Sequence, residues 1–145
     1  MKSYILFLFT ISLILGGYGY FAKLDHIRAT VDQQDKKDYG IGPVKNLKLD
    51  PVDKDLAKKG SALFNSTCTA CHGLDQKVVG PPLRNVTKDR TPEFIMNLLL
   101  NTVQMQQEDP IIKDLISTYK VPMTPPEFTN EQARSVLEYL RSVAK

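Results

Sequence analysis

Cys68-Thr69-Ala70-Cys71-His72 decides how this chain is read. The stretch spells C-x-x-C-H, the attachment signature of a c-type haem. Two thiols three positions apart lie about one helical turn from each other, within reach of two vinyl groups on one edge of a porphyrin. The following residue, His72, then falls beneath the ring and offers an imidazole nitrogen to iron. Cys68 and Cys71 are the only cysteines in the chain, which weakens the rival readings. A structural zinc site needs four ligands, usually as two pairs, and the other histidine, His26, lies far upstream in a polar stretch. A thioredoxin-like redox pair would follow a strand in a βαβ pattern, whereas the residues before Cys68 look helical. A disulfide between neighbours this close would restrain little chain.

The chain has 145 residues and a formal net charge of +3, room for one domain with appendages. No basic run is interleaved with aromatics, so nucleic-acid binding is set aside. The polypeptide core is expected to be small, with a buried haem as a large apolar addition to it, so folding and cofactor binding are expected to be linked.

Upstream, Tyr4 to Ala22 carries no charge, follows Lys2, and is closed by Lys23, Asp25 and Arg28. Residues 1–22 are therefore expected to be a signal sequence or a membrane anchor. Gly17-Tyr18-Gly19 offers small residues for cleavage. The run also approaches the roughly 20 apolar residues that span a bilayer, with Tyr18, Tyr20 and Phe21 as an interfacial belt. The anchor is the favoured reading and a soluble, cleaved periplasmic form the alternative. Either way the haem part is exported, in keeping with haem attachment outside the bacterial cytoplasm. Residues 23–52 are polar, with a break at Gly40-Ile41-Gly42-Pro43, and are expected to form a spacer.

Residues 53–145 carry helical signals only, which predicts an all-α class. Asp53 or Asp55 can cap a helix leading to Cys68, with Leu56, Gly60, Leu63 and Phe64 at helical spacing. Thr91-Pro92-Glu93 opens a second helix and Asp109-Pro110 a third, each with proline in the first turn. Thr129 or Asn130 caps a last helix to Val143, with Val136, Leu137 and Leu140 on its apolar face.

In this order of parts the chain resembles the class I (monohaem) cytochrome c family over about Asp53 to Lys145. The resemblance rests on Gly60 and Phe64, the C-x-x-C-H stretch, Gly80-Pro81-Pro82-Leu83, Val121-Pro122-Met123-Thr124-Pro125-Pro126, and Tyr139 in the last helix. It implies one haem c, covalent through Cys68 and Cys71, with iron held by His72 and Met123. It implies that the Pro81 carbonyl orients His72, that Leu83 presses on the haem face, and that Gly60 lets the first and last helices approach closely around Phe64 and Tyr139. Met105 is the rival ligand to Met123, and Met96 is expected to be packing. Arg84 and Arg90 are each candidates either for the haem propionates or for a solvated surface role. The stretch from Arg90 to Tyr119 is longer than the shortest cytochromes need, implying an enlarged wall.

The function this implies is single-electron transfer, without substrate chemistry, between respiratory-chain partners. The expected donor is a quinol-oxidising complex and the expected acceptor a terminal oxidase or reductase. The alternatives are a haem c subunit of a larger oxidoreductase, or a gas-binding or sensing haem protein in which Met123 does not ligate.

Overall fold

The computed structural model describes residues 38–145. The expected signal or anchor at 1–22, His26, and the first part of the spacer lie outside the described residues. Among the described residues no helix is long and apolar enough to cross a membrane.

Among the described residues there are six α-helices, four of which start at a side-chain cap. Helix α1 (Lys54–Leu63) is capped by Asp53, whose carboxylate accepts from the amides of Asp55 and Leu56 at 2.9 and 3.0 Å. It runs into one π-turn (Phe64–Cys68), in which the Thr69 amide donates to the Phe64 carbonyl at 3.2 Å. Helix α2 (Val86–Asp89) is a single turn. Helix α3 (Pro92–Leu100) starts with Thr91 as its cap and proline in the first turn. Helix α4 (Thr102–Glu108) follows after Asn101. Helix α5 (Pro110–Tyr119) is capped by Asp109 and stops at Lys120, which takes the left-handed conformation at φ 63°. Helix α6 (Asn130–Val143) opens with a reciprocal capping box between Thr129 and Gln132. The expected all-α class holds, and α2 and α4 are additions to the helices expected from the sequence.

The core forms where α1 crosses α6. A Cβ at Gly60 would lie 1.9 Å from the Ser135 carbonyl oxygen, so the two backbones touch there and only glycine fits. Next to this contact the Phe64 and Tyr139 rings sit 5.2 Å apart at 50°, and Ala133, Val136, Leu137 and Leu140 close the interior. Glu138 is fully buried. Its carboxylate accepts from Arg134 at 2.9 Å and Arg141 at 2.7 Å, and from the Asp53 amide at 3.2 Å. A buried charge is tolerated only when paired and hydrogen-bonded in this way.

Residues 38–52 differ from the free spacer expected of them. They form a strap against α3, α4 and α6, and polar side chains hold its backbone. Asn97, fully buried, donates to the Tyr39 and Val44 carbonyls at 2.7 and 2.8 Å and accepts from the Val44 amide at 2.9 Å. Glu93 accepts from the Leu47 amide at 2.9 Å. Asn101 donates to the Ile41 carbonyl at 3.0 Å, and Arg141 to that of Asp50 at 2.8 Å. Val44, Leu47 and Leu49 add apolar surface to the core. An extended segment has no ladder of its own, so its buried backbone groups must find partners elsewhere; here helix side chains supply them.

Candidate functional site

The π-turn delivers the chain to Cys68, and a tight turn follows. The Cys71 and His72 amides both donate to the Cys68 carbonyl, at 3.1 and 2.8 Å. The segment after His72 folds back onto this turn. The Val79 and Gly80 amides donate to the Cys71 carbonyl at 3.1 and 2.8 Å, and the Leu83 amide to Gly73 at 3.0 Å. Gly80-Pro81-Pro82-Leu83 is thereby held in register with the C-x-x-C-H turn by backbone bonds.

This register places the Pro81 carbonyl 2.9 Å from His72 Nδ1. A carbonyl can only accept, so the hydrogen resides on Nδ1 and the Nε2 lone pair is left for a metal. Gly80 lies flat against the ring, where a Cβ would fall 2.5 Å from His72 Cε1. Glycine at 80 thus lets backbone and imidazole stack.

His72 lines a cavity of about 340 Å³. Cys68 and Cys71 line it too, as do Pro81, Leu83 and Met123. Apolar side chains of α3, α5 and α6, among them Phe94, Leu98, Ile112, Ile116 and Leu140, complete the walls. Burial pushes the Cys68 thiol up to about 11, with the neighbouring Cys71 adding to the shift, so it stands as a neutral thiol at physiological pH. Two thiols, one imidazole with a free Nε2 and one thioether in a largely apolar cavity suit a haem and not a hydrated metal ion, which takes oxygen-rich surroundings.

Each candidate site residue is accounted for. Cys68, Cys71, His72, Pro81, Leu83 and Met123 converge on this cavity. Met105 does not: it is fully buried beside Phe94 and Ile112, and its sulfur accepts from the Ile41 amide at 2.8 Å. Met96 is buried in the main core. The two arginines separate. Arg84 binds both carboxylate oxygens of Asp75, at 2.5 and 2.6 Å, and the Val143 carbonyl at 3.1 Å. Arg90 lines the cavity, its guanidinium 5.7 Å above the Phe94 ring centroid. The α5 wall was visible in the sequence only as a helix stripe; nothing in Ile112, Leu115 and Ile116 says that the stripe faces a cavity instead of a neighbouring helix.

Comparison with known proteins agrees with this geometry. A family model described as Cytochrome c matches residues 57–144. The chain is 32% identical over 90 residues to cytochrome c-551 of Stutzerimonas stutzeri, spanning 61% of this chain and 80% of that protein. A solved structure of cytochrome c from Rhodothermus marinus superposes with a TM-score of 0.69 at 50% identity, over 71% of this chain and 90% of that one. An engineered form of the Rhodothermus marinus protein, bound to a carbene intermediate, superposes with a TM-score of 0.66 at 49% identity over the same shares.

Proposed function

Because the chain belongs to the class I cytochrome c family, we propose that it carries single electrons between respiratory-chain partners outside the cytoplasmic membrane. The family binds one covalent haem c, and Cys68 and Cys71 carry the attachment spacing. Haem-based electron carriage is the family's activity. The finer reading takes a quinol-oxidising complex as donor and a terminal oxidase or reductase as acceptor. It places the haem domain on the periplasmic side, with residues 1–22 as anchor.

One observation supports this most: His72, locked in one tautomer, and Met123 line the same cavity. When bound, the haem supplies an iron that accepts and returns one electron. His72 is proposed as one ligand, and its bond to Pro81 keeps the ring oriented and raises its donor strength. Met123 is proposed as the other; a soft thioether favours the reduced metal and raises its potential. With both ligands supplied by the protein, a bound haem would have no iron position open to a substrate, which distinguishes a carrier from a gas-binding site. The largely apolar walls would limit the access of water to a bound haem. Val79 and Val121 line the cavity while 38% and 48% exposed, and Val78, next to Val79 in the chain, is 46% exposed. They form an apolar rim where a redox partner can approach.

The purified, oxidised holoprotein should show the long-wavelength methionine-to-iron charge-transfer band, and the reduced form should not bind carbon monoxide readily. Absence of the band together with rapid carbon monoxide binding would overturn the carrier reading in favour of an open iron site. Intact mass of the exported protein decides between anchor and cleaved signal: retention of residues 1–22 supports the anchor, and their loss refutes it.

A further inference from the structure

We infer that Gln106 is a positioning residue for the proposed thioether ligand, holding the backbone of Met123 in place from helix α4. The inference rests on the reading of Met123 as ligand. Val121 to Phe128 has no regular structure, and three prolines, Pro122, Pro125 and Pro126, remove amide donors from it. Among the described residues, one hydrogen bond reaches this loop from outside: Gln106 Nε2 donates to the Met123 carbonyl at 2.9 Å. The bond falls on the very residue whose sulfur must be held still.

The donor stands on a fixed platform. Its neighbour Met105 is fully buried, packs beside Phe94 and Ile112, and accepts the Ile41 amide on its sulfur. At the start of the same helix Thr102 donates to the Leu98 carbonyl at 2.6 Å, and Asn101 reaches the strap at Ile41. Helix α4 is thus tied to α3 and to the strap, and Gln106 transmits that fixed position to the loop. Prolines restrict the loop's own dihedrals but cannot set where the loop as a whole sits relative to the cavity. A directional bond to Met123 does.

The test measures how tightly an exogenous ligand displaces Met123. In the oxidised holoprotein, imidazole is titrated and loss of the methionine-to-iron charge-transfer band is followed. Gln106→Met keeps the length without a donor, and Gln106→Glu, ionised, offers a carbonyl only acceptors. Removing one neutral hydrogen bond is expected to tighten apparent imidazole binding roughly two- to tenfold in both variants. Gln106→Lys restores N–H donors at similar reach and should return the affinity toward wild type. Gln107→Ala, an exposed neighbour on the same helix, should leave it unchanged. Overall stability does not enter a native-state displacement, so a merely structural role for Gln106 leaves these affinities alone. Wild-type imidazole affinity in the Glu variant overturns the inference, and that near-isosteric variant decides should the Met variant fail to accumulate. A wild-type protein lacking the band altogether refutes Met123 ligation itself, a distinct outcome.

Discussion

Gly60→Ala sets two physical effects of opposite sign against each other, and the structure says which wins. Alanine is the better helix former by about 1 kcal/mol. Most of that preference is the restriction alanine places on the unfolded chain, by itself about 0.4–1 kcal/mol where the native conformation permits. Gly60 lies inside α1 with ordinary helical backbone, so the backbone preference predicts a more stable protein. Packing predicts the reverse. The new Cβ would meet Ser135 O at 1.9 Å, Ser135 C at 2.4 Å and Val136 N at 2.9 Å, against the 3.4 Å at which ordinary contact begins. All three are backbone atoms of α6, so no rotamer change relieves them. The helices must part, and Phe64, Ala133 and Leu137 between them lose close packing. Overpacking of a core costs about 1–3 kcal/mol, and a backbone-against-backbone clash belongs at or above the top of that range. After the propensity gain, a net loss of about 2 kcal/mol remains, or roughly 8–16 °C in melting temperature for a domain near 100 residues. Thermal unfolding of the holoprotein, followed by far-UV circular dichroism, measures it. An unchanged or raised melting temperature would refute the close approach of α1 and α6, because propensity alone would then account for the result.

Asn97→Ala should release the strap before it unfolds the domain, since it removes the side-chain hydrogen bonds to the Tyr39 and Val44 carbonyls and from the Val44 amide. The expected result is faster hydrogen exchange at Val44 and proteolysis within residues 38–52, and equal protection there in variant and wild type would contradict it. The Arg84 guanidinium holds the Asp75 carboxyl below its ordinary value through their hydrogen bonds. A depressed folded-state pKa contributes stability that is present above the unfolded value and fades as pH falls through the folded one. Asp75→Asn should therefore be less stable than wild type near neutrality and converge with it below about pH 4. A stability gap that stays constant down to acid would exclude the pair as its source. Lys120 occupies the left-handed region at φ 63°, at a cost of roughly 1–2 kcal/mol that exceeds the extra chain entropy of a glycine, roughly 0.5–1 kcal/mol. Lys120→Gly should raise the denaturant midpoint slightly, and a lower midpoint would show that the lysine side chain contributes more than its backbone costs.

Local chemistry was legible in the sequence and non-local pairing was not. Asp53, Thr91, Asp109 and Thr129 announced four helix starts because a cap bonds to amides two or three residues away. Helix α4 gave no such signal: Asn101 makes no side-chain cap to it, and Thr-Val-Gln-Met-Gln-Gln-Glu carries no apolar stripe. Its buried face is in effect Met105 and Thr102. The strap looked like spacer because its order comes from Glu93, Asn97 and Asn101, 46 to 60 positions later in sequence. One clue was available in retrospect. Asn97 and Glu93 interrupt an otherwise apolar run in α3, and a polar side chain on a buried face implies a partner for it. The π-turn at Phe64–Cys68 had no precursor in the residues, although it sets how Cys68 enters the site. At the site, C-x-x-C-H and the proline segment led to the cavity directly. The separation of Arg84 from Arg90 depended on Asp75, and the role of Gln106 on where α4 lies.

The three methionines of the described chain show how one side-chain chemistry divides into three roles by placement alone. Met96 is enclosed by the main apolar core, where it serves as packing. The sulfur of Met105 accepts from the Ile41 amide, a bond that stitches strap to helix and engages one of its lone pairs. Met123 alone among them faces the cavity, and its hydrogen bond runs through the backbone carbonyl, not the sulfur. That division leaves the thioether free to act as a donor while the chain around it stays fixed. The cavity it faces lies between two apolar clusters, with Phe64, Ile95 and Leu140 from one and Phe94 and Ile112 from the other among its walls. A planar apolar cofactor between those walls would join the two clusters into one core, so that stability and ligation become the same set of contacts. A covalent tether through Cys68 and Cys71 fits that arrangement, since a core that could dissociate would take the fold with it.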